Sequence, residues 1–230
     1  MNGSRVHGPF LAALIGFSSG EIPGSDTVFL SKQIQDGRLV GVYVDPDRGS
    51  RFYRNLTRFS MDGFDSITYG NSLDRLREQG LKLGKVKNSV PWTRWVALVE
   101  HQGGLYAYHP CDFLFHRAWS INDSTAIEWT GEGPFATKVQ WQRRSGPGTF
   151  RIGYSGEAGS TAELTIRLVD RKKGIAVFQD VPPGGGDTTY SLMIAAETIR
   201  SVPLIVNRCP GGKRLEHSFD KPDPRKYLPR

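Results

Sequence analysis

Short runs of alternating apolar and polar residues follow one another from Phe135 to Val206, and clusters of glycine, proline, serine and aspartate separate them. Alternation with a period of two predicts β-strands that bury one face, and the clusters predict tight turns. Strands that recur roughly every 10–15 residues without intervening helices argue against a parallel α/β sheet. We therefore expect a mainly β fold, an antiparallel β-sandwich of the jelly-roll or immunoglobulin-like type.

The first half of the chain carries the same strand signals less densely. Residues 39–44 (LVGVYV) predict a strand, which the turn-rich segment 45–49 ends. Residues 95–100 and 105–109 flank a turn that contains two glycines, and they predict a β-hairpin. These strands extend the β pattern to most of the chain.

One short helix is expected near residues 72–79. Ser72 is a suitable N-cap, and Gly80 suits the position just beyond the last helical residue. Leu73 and Leu76, three residues apart, would then face the same way. A helix of this length would cover one end of the sheet.

The chain is expected to form one domain over residues 1–209, with a sub-boundary near 89–91 as the alternative. The polar, basic and proline-spaced segment 210–230 is interpreted as a tail.

The apolar stretch 9–17 follows Arg5 and resembles a weak secretory signal, or else it forms a first β-strand. Localisation stays open, and the signal interpretation would make the protein secreted.

Basic residues outnumber acidic ones in this chain. The 30 lysines and arginines against 23 aspartates and glutamates give a formal net charge of +7. A positive surface attracts anionic partners such as nucleic acid, phospholipid head groups or acidic glycans, and the alternative is a solvated arginine-rich surface without a partner. No apolar run approaches the roughly 18 residues that span a bilayer, so no transmembrane segment is expected.

The chain has only two cysteines, Cys111 and Cys209, which do not imply a disulfide framework. They could form one bridge between distant segments in an oxidising compartment. Two separate free thiols are the interpretation that the sequence slightly favours.

Potential metal ligands are densest between His101 and His116, where His109, Cys111 and Asp112 also lie. His101 and His109 lie on opposite arms of the predicted hairpin but several residues out of register. That separation is too large for two bonds of about 2 Å to one zinc ion. The spacing also matches no zinc signature, so we expect structural histidines and no metal site.

Two further sets of carboxylates could have a chemical role, either in binding calcium or in cleaving a sugar. Asp45, Asp47 and Asp187 lie in loops rich in glycine and proline and could hold calcium, although turn residues that bond their own backbone are the preferred interpretation. Glu128 and Glu132 lie near a tryptophan, as acids do in some sugar-cleaving clefts, and otherwise they are surface charges. No catalytic residue is assigned.

Four residues are the candidates for ligand binding. Trp92 and Trp119 lie near predicted strand ends, where an exposed indole could stack on a sugar. Arg143 and Arg144 lie at a predicted turn and could contribute to an anion-binding patch at one end of the sandwich. Arginines also alternate with aromatic residues over 51–59, either as a binding surface or as an ordinary strand.

Two resemblances support the β architecture. Residues 148–154 (GTFRIGY), 162–168 (AELTIRL) and 182–187 (PPGGGD) resemble the closing strands of carbohydrate-binding jelly-roll modules. Residues 119–152, with KVQW at 138–141, are similar to the C-terminal immunoglobulin-like domain of neutral ceramidases. The first resemblance implies sugar binding, and the second implies an accessory domain without catalytic zinc residues.

The sequence thus favours a non-catalytic binding module for a polar or anionic ligand, with a glycan as one candidate. The first alternative is a structural or assembly protein, such as a viral jelly-roll subunit that contacts nucleic acid through its basic surface. The second is a sandwich-fold enzyme that acts on glycans. The oligomeric state stays open.

Overall fold

The computed structural model describes residues 27–35, 38–112, 116–155, 160–184, 186–209, 216–220 and 223–228. The apolar stretch 9–17 lies outside the described residues, as does the start of the expected tail, 210–215. Later residues of that tail lie against the domain, and Lys226 Nζ is 2.5 Å from Glu100 Oε1.

The described residues form twelve strands in one continuous sheet. The strands are β1 (Val28–Gln35), β2 (Arg38–Asp45), β3 (Arg94–His101), β4 (Gly104–His109), β5 (Ala118–Ile121), β6 (Thr125–Thr130), β7 (Gly133–Gly146), β8 (Thr149–Ser155), β9 (Thr161–Asp170), β10 (Ile175–Val181), β11 (Thr189–Ala195) and β12 (Leu204–Arg208). The helices are α1 (Arg51–Thr57), α2 (Gly63–Glu78) and two 3₁₀ helices, Ala196–Ser201 and Pro224–Tyr227. The prediction of a mainly β fold is confirmed.

Eight strands close into an antiparallel barrel. Strands β5 to β11 pair in sequence order, and β3 pairs with β11 on one side and with β5 on the other. The seam includes the pair Trp95 and Trp119. The expected sandwich of two facing sheets is therefore replaced by one sheet closed on itself. Sequence alternation could not separate the two, because both architectures point every second residue into the core.

Four further strands continue the sheet beyond the barrel, in the order β3, β4, β12, β2, β1. Strand β12 runs parallel to β4 and antiparallel to β2.

Cys111 follows β4 and Cys209 follows β12, and the parallel pairing brings them together in a disulfide with a Cα–Cα distance of 5.8 Å. The prediction of two free thiols is wrong, since it took no account of the contact between two segments 98 residues apart.

Two hydrophobic cores follow from this arrangement. The first fills the barrel with alternate residues of its strands, including the fully buried Trp95, Ile152 and Leu164. The second lies on the outside of β3, β10 and β11, where Val177 and other residues pack against α1, β2 and β12. Tyr53 on α1 is 1% exposed, so α1 is fixed to this second core.

The helices differ from the single short helix that was expected. Helix α2 begins at Gly63 rather than near Ser72, because Asp62 and Asp65 form a reciprocal capping box at its start. Its end agrees with the prediction, and Gly80 has a φ of +70°. The arginine- and aromatic-rich segment 51–59 is mostly helix α1, whose first turn is capped by Ser50.

The segment before β3 closes one end of the barrel, which we call the plugged end. The Val86 amide donates to the Asp123 carbonyl at 2.7 Å, and the Ser89 amide donates to Gln142 Oε1 at 3.2 Å. Val90 and Trp92 pack against the barrel core there. Among the described residues, no helix has both the length and the apolar character required to cross a bilayer.

Candidate functional site

Three arginines share the outer face of the barrel on neighbouring strands. Arg151 in β8 lies between the inward-facing Phe150 and Ile152, so its side chain points outward. Arg143 in β7 pairs directly with Arg151 and therefore points to the same side. Arg167 in β9 pairs with Thr149, one position further along this face. We call Arg143, Arg151 and Arg167 the arginine wall.

One carboxylate partly neutralises this wall. Glu163 receives two hydrogen bonds from Arg151, one of them from Nε to Oε1 at 2.6 Å and the other from Nη2 to Oε2. Within the described part of the chain, neither Arg143 nor Arg167 forms an ion pair, and Arg167 Nε is buried without a hydrogen-bond partner. The wall therefore carries two guanidinium charges that no described carboxylate balances.

An indole holds Arg143 in place. Its guanidinium carbon lies 4.7 Å from the centre of the Trp141 ring, a cation–π contact. The ring in turn lies over Gly153, where a Cβ atom would come within 2.2 Å of Trp141 Nε1. A bulge between Val139 and Trp141 sets the strand register at this point. The glycine, the bulge and the indole together position an exposed arginine beside Arg151.

A shallow depression of about 410 Å³ lies on the same outer face. Arg151 and Arg167 line it together with hydroxyl and amide groups from Ser145, Thr149, Thr165 and Gln179, and with Glu163. Guanidinium groups surrounded by hydroxyl groups are donors suited to sulfate, carboxylate or phosphate groups. The depression is therefore a polar surface for an oxygen-rich anionic ligand.

Basic residues continue beyond the depression. Arg171 lies beside the turn between β7 and β8, since a Cβ atom at Gly148 would come within 2.9 Å of its Nη2. Arg171, Lys172 and Lys173 are all exposed in the turn between β9 and β10. The positive potential therefore extends to this end of the barrel.

The structure separates the four predicted ligand-binding residues. Arg143 belongs to the arginine wall, whereas Arg144 points away from it and donates from Nε to the Gly146 carbonyl at 3.1 Å. Trp92 is half-buried at the plugged end, and its carbonyl accepts a hydrogen bond from the Trp95 indole. Trp119, expected near a strand end and exposed, is 7% exposed inside the barrel.

The histidine-rich stretch has a structural environment. Cys111 is bonded to Cys209 and so provides no thiolate ligand. In the described ranges, no group of three or more histidine, cysteine, aspartate or glutamate side chains is arranged to hold a metal ion. Burial lowers the pKa of His109 to about 4, and burial together with the neighbouring His109 lowers the pKa of His116 to about 4. Both rings are held in the neutral form at physiological pH.

Two of the loop carboxylates considered as calcium ligands make local backbone contacts, as the preferred interpretation expected. Asp45 Oδ1 accepts from the Asp47 amide at 3.0 Å, and Asp47 Oδ1 accepts from the Gly49 amide at 2.7 Å. Asp187 is exposed in the connection between β10 and β11.

Of the two glutamates considered for catalysis, Glu132 is exposed at the turn between β6 and β7, whereas Glu128 borders a chamber inside the barrel.

A second cavity, of about 680 Å³, is less suited to an anion. It lies between the α1–α2 connection and the outside of β5 and β6, where Phe59 and Trp129 contact edge to face at 5.7 Å. Asp62, Asp65 and Asp112 are among its lining residues, so carboxylates outnumber the single arginine in the lining. An anionic ligand would be repelled there, and this supports the arginine wall as the anion site.

Sequence reasoning missed Arg151, Glu163 and Arg167. The signal was present, because each lies at an outward position of a strand that was predicted correctly. The missing information was the register between strands, which brings residues 143, 151, 165 and 179 into one row.

No family model, curated protein or solved structure matches this chain.

Proposed function

We propose that the protein is a non-catalytic binding module for an anionic glycan, which the arginine wall contacts through its uncompensated guanidinium groups. The direct pairing of Arg143 with Arg151 carries this proposal. Like charges directly opposite one another on a sheet are destabilising. A bound sulfate or carboxylate would relieve that repulsion and would replace the solvent around Arg143 and Arg167 with charge-assisted hydrogen bonds.

The dimensions suit an oligosaccharide that spans several strands. Neighbouring strands lie about 4.8 Å apart, so Arg143 on β7 and Arg167 on β9 are separated by about 10 Å in the direction across the sheet. The hydroxyl groups of Ser145 and Thr149 line the depression on this face together with Arg151 and Arg167. Two anionic groups on one chain could therefore contact both arginines while sugar hydroxyls bond to the threonine and serine.

Two observations favour a glycan over nucleic acid. Glu163 lies in the depression beside the arginine wall and would repel a densely charged phosphate backbone, whereas it can accept hydrogen bonds from sugar hydroxyls. The disulfide between Cys111 and Cys209 is typical of oxidising compartments, where extracellular glycans occur. The resemblance to carbohydrate-binding modules points in the same direction.

The test is calorimetric titration of the purified chain with a heparin hexasaccharide at physiological salt. The variant Arg143→Gln/Arg167→Gln removes the two unbalanced charges and is expected to weaken binding at least tenfold. The salt dependence should change as well, with the slope of log K against log salt concentration falling by about two. The control Arg75→Gln/Lys82→Gln removes equal charge from exposed positions at the end of α2 and just beyond it, and should bind like the wild type.

Two results would contradict the proposal. Equal affinities of the wall variant and the control variant would show that binding follows net charge and not the wall. Retention of a short oligonucleotide but no heparin fragment in native mass spectrometry would favour the nucleic-acid alternative. The same spectra report the oligomeric state, and a large symmetric oligomer would favour an assembly protein.

A further inference from the structure

A small polar chamber lies inside the barrel, away from the arginine wall. It has a volume of about 50 Å³. Inward-facing residues of β5, β6, β10 and β11 line it, among them Trp119, Glu128, Phe178, Asp180 and Ser191. Most of the barrel interior is apolar and tightly packed, so ionisable side chains in this chamber need a separate physical explanation.

Negatively charged side chains outnumber positively charged ones in and beside the chamber. Arg117 Nη2 donates to Glu128 Oε1 at 3.1 Å, and with side-chain exposures of 66% and 31% this pair marks the solvent-facing side of the chamber. Asp180 forms no ion pair with a described residue. Its Oδ1 accepts a hydrogen bond from the Tyr154 hydroxyl at 2.5 Å, and no described donor bonds to its other oxygen. The three charged groups sum to minus one in a chain whose net charge is +7.

Aromatic rings form part of the chamber lining. Trp119 in β5 and Phe178 in β10 both line the chamber. The Tyr154 ring lies 6.3 Å from the Trp119 ring. A carboxylate beside aromatic rings is the arrangement that recognises organic cations, through charge on one side and ring quadrupoles on the other.

We propose that this chamber binds the ammonium group of a primary amine, with Asp180 as the acceptor of its N–H bonds and the Trp119 and Phe178 rings as its walls. The volume is sufficient for such a group, since about 10–15 Å³ of space on this measure already holds one water molecule. A longer amine would extend past Arg117 and Glu128 into solvent. This site is independent of the arginine wall and selects the opposite charge.

The experiment uses the full chain labelled with ¹⁵N and follows the indole N–H signal of Trp119, assigned with the variant Trp119→Phe. Methylammonium chloride is titrated against sodium chloride at equal ionic strength. We expect a saturating shift for methylammonium with a dissociation constant of millimolar order, as the efficiency limit for so small a ligand requires. Sodium should produce no saturating shift.

Two variants and a control decide the outcome. Asp180→Asn keeps an acceptor for Tyr154 but removes the charge, and should weaken methylammonium binding at least tenfold. Ser191→Val fills the chamber without changing its charge, and should also weaken binding, which covers the case in which Asp180→Asn does not fold. The control Asp187→Asn removes an exposed carboxylate outside the chamber and should bind like the wild type. Equal shifts for sodium and methylammonium, or unchanged binding in both chamber variants, would overturn the proposal.

Discussion

Tyr154 and Asp180 are joined across the barrel interior by a hydrogen bond of 2.5 Å, although a whole strand lies between β8 and β10. The intervening strand presents Ala162 beside Tyr154, and this small residue leaves room for the tyrosine to reach over it. Burial raises the pKa of Asp180, and the hydrogen bond from Tyr154 opposes that rise. Two polar groups thereby stabilise each other where the barrel is otherwise apolar.

Loss of the Tyr154 hydroxyl should therefore destabilise the protein. In Tyr154→Phe the ionised Asp180 loses its donor, and we expect the free energy of unfolding at pH 7 to fall by about 1–2 kcal/mol. The loss should shrink as the pH is lowered, because a protonated Asp180 needs the donor less. Urea denaturation at several pH values measures both effects. Tyr190→Phe is the matched control, since no described residue hydrogen-bonds to its hydroxyl, and an equal loss in both variants would contradict this account.

The contact between Gly153 and Trp141 links stability to the proposed function. Gly153→Ala places a methyl group 2.2 Å from Trp141 Nε1, so the indole must move and Arg143 loses its platform. We expect a loss of about 1–3 kcal/mol in unfolding free energy and several-fold weaker binding of the heparin hexasaccharide. Gly146→Ala is the control, because a Cβ there meets only Thr149 at 3.9 Å. A Gly153→Ala protein that binds heparin normally would show that Trp141 does not position Arg143.

Glu163 should limit the affinity for anions. Glu163→Gln removes the negative charge from the wall and releases Arg151 from its ion pair, so heparin binding should become severalfold tighter. Glu132→Gln removes the same charge from an exposed turn outside the wall and should leave the affinity close to that of the wild type. Calorimetry on both variants measures the difference. Weaker binding by Glu163→Gln would mean that the Arg151–Glu163 pair orients the site and does not compete with the ligand.

The disulfide should be a large contributor to stability. Because Cys111 and Cys209 are 98 residues apart, the bond removes much of the conformational freedom of the unfolded chain, worth about 5 kcal/mol in the chain-entropy model. Denaturation with and without a phosphine reductant should show this difference in the wild type. The variant Cys111→Ser/Cys209→Ser should be insensitive to the reductant. Equal stability of the oxidised and reduced wild type would contradict the prediction.

Acid should destabilise the fold through His109. Its pKa in the folded state is about 4, against 6.5 for a solvent-exposed imidazole, so the unfolded chain binds the proton first as the pH falls. This contribution to stability is present in full above pH 6.5 and is lost between pH 6.5 and 4, by about 2.5 kcal/mol at pH 4.5. The variant His109→Gln cannot bind that proton and should lose less stability over the same interval. Parallel pH curves for wild type and variant would contradict the assignment.

Some of the architecture could be read directly from the residues. The alternation in segments such as 149–154 and 163–168 fixed which residues face the core, because strand geometry alternates sides whatever the partner strand. Gly80 was correctly placed after a helix, since a positive φ at that position favours glycine. These are local properties, and local sequence determines them.

The helices show where local reasoning was incomplete. Asp62 and Asp65 form a recognisable capping box, yet Gly63 and Gly70 lower the helix propensity of the following turns. The packing of α2 on β7, where Ser72 Oγ accepts a hydrogen bond from the Ala136 amide at 3.0 Å, stabilises these turns. Helix propensity alone predicted only the C-terminal half of α2. The N-terminal half is helical because its contacts with the rest of the protein stabilise it.

Sequence by itself determined a basic, mainly β protein with antiparallel strands and inward apolar residues. Tertiary structure alone decided that the sheet closes through the pairing of Trp95 with Trp119, that Cys111 meets Cys209, and that Arg143 lies opposite Arg151. The physical reason is common to all three. Each depends on the register between strands, which is set by long-range packing and turn geometry and not by the residues of any single strand.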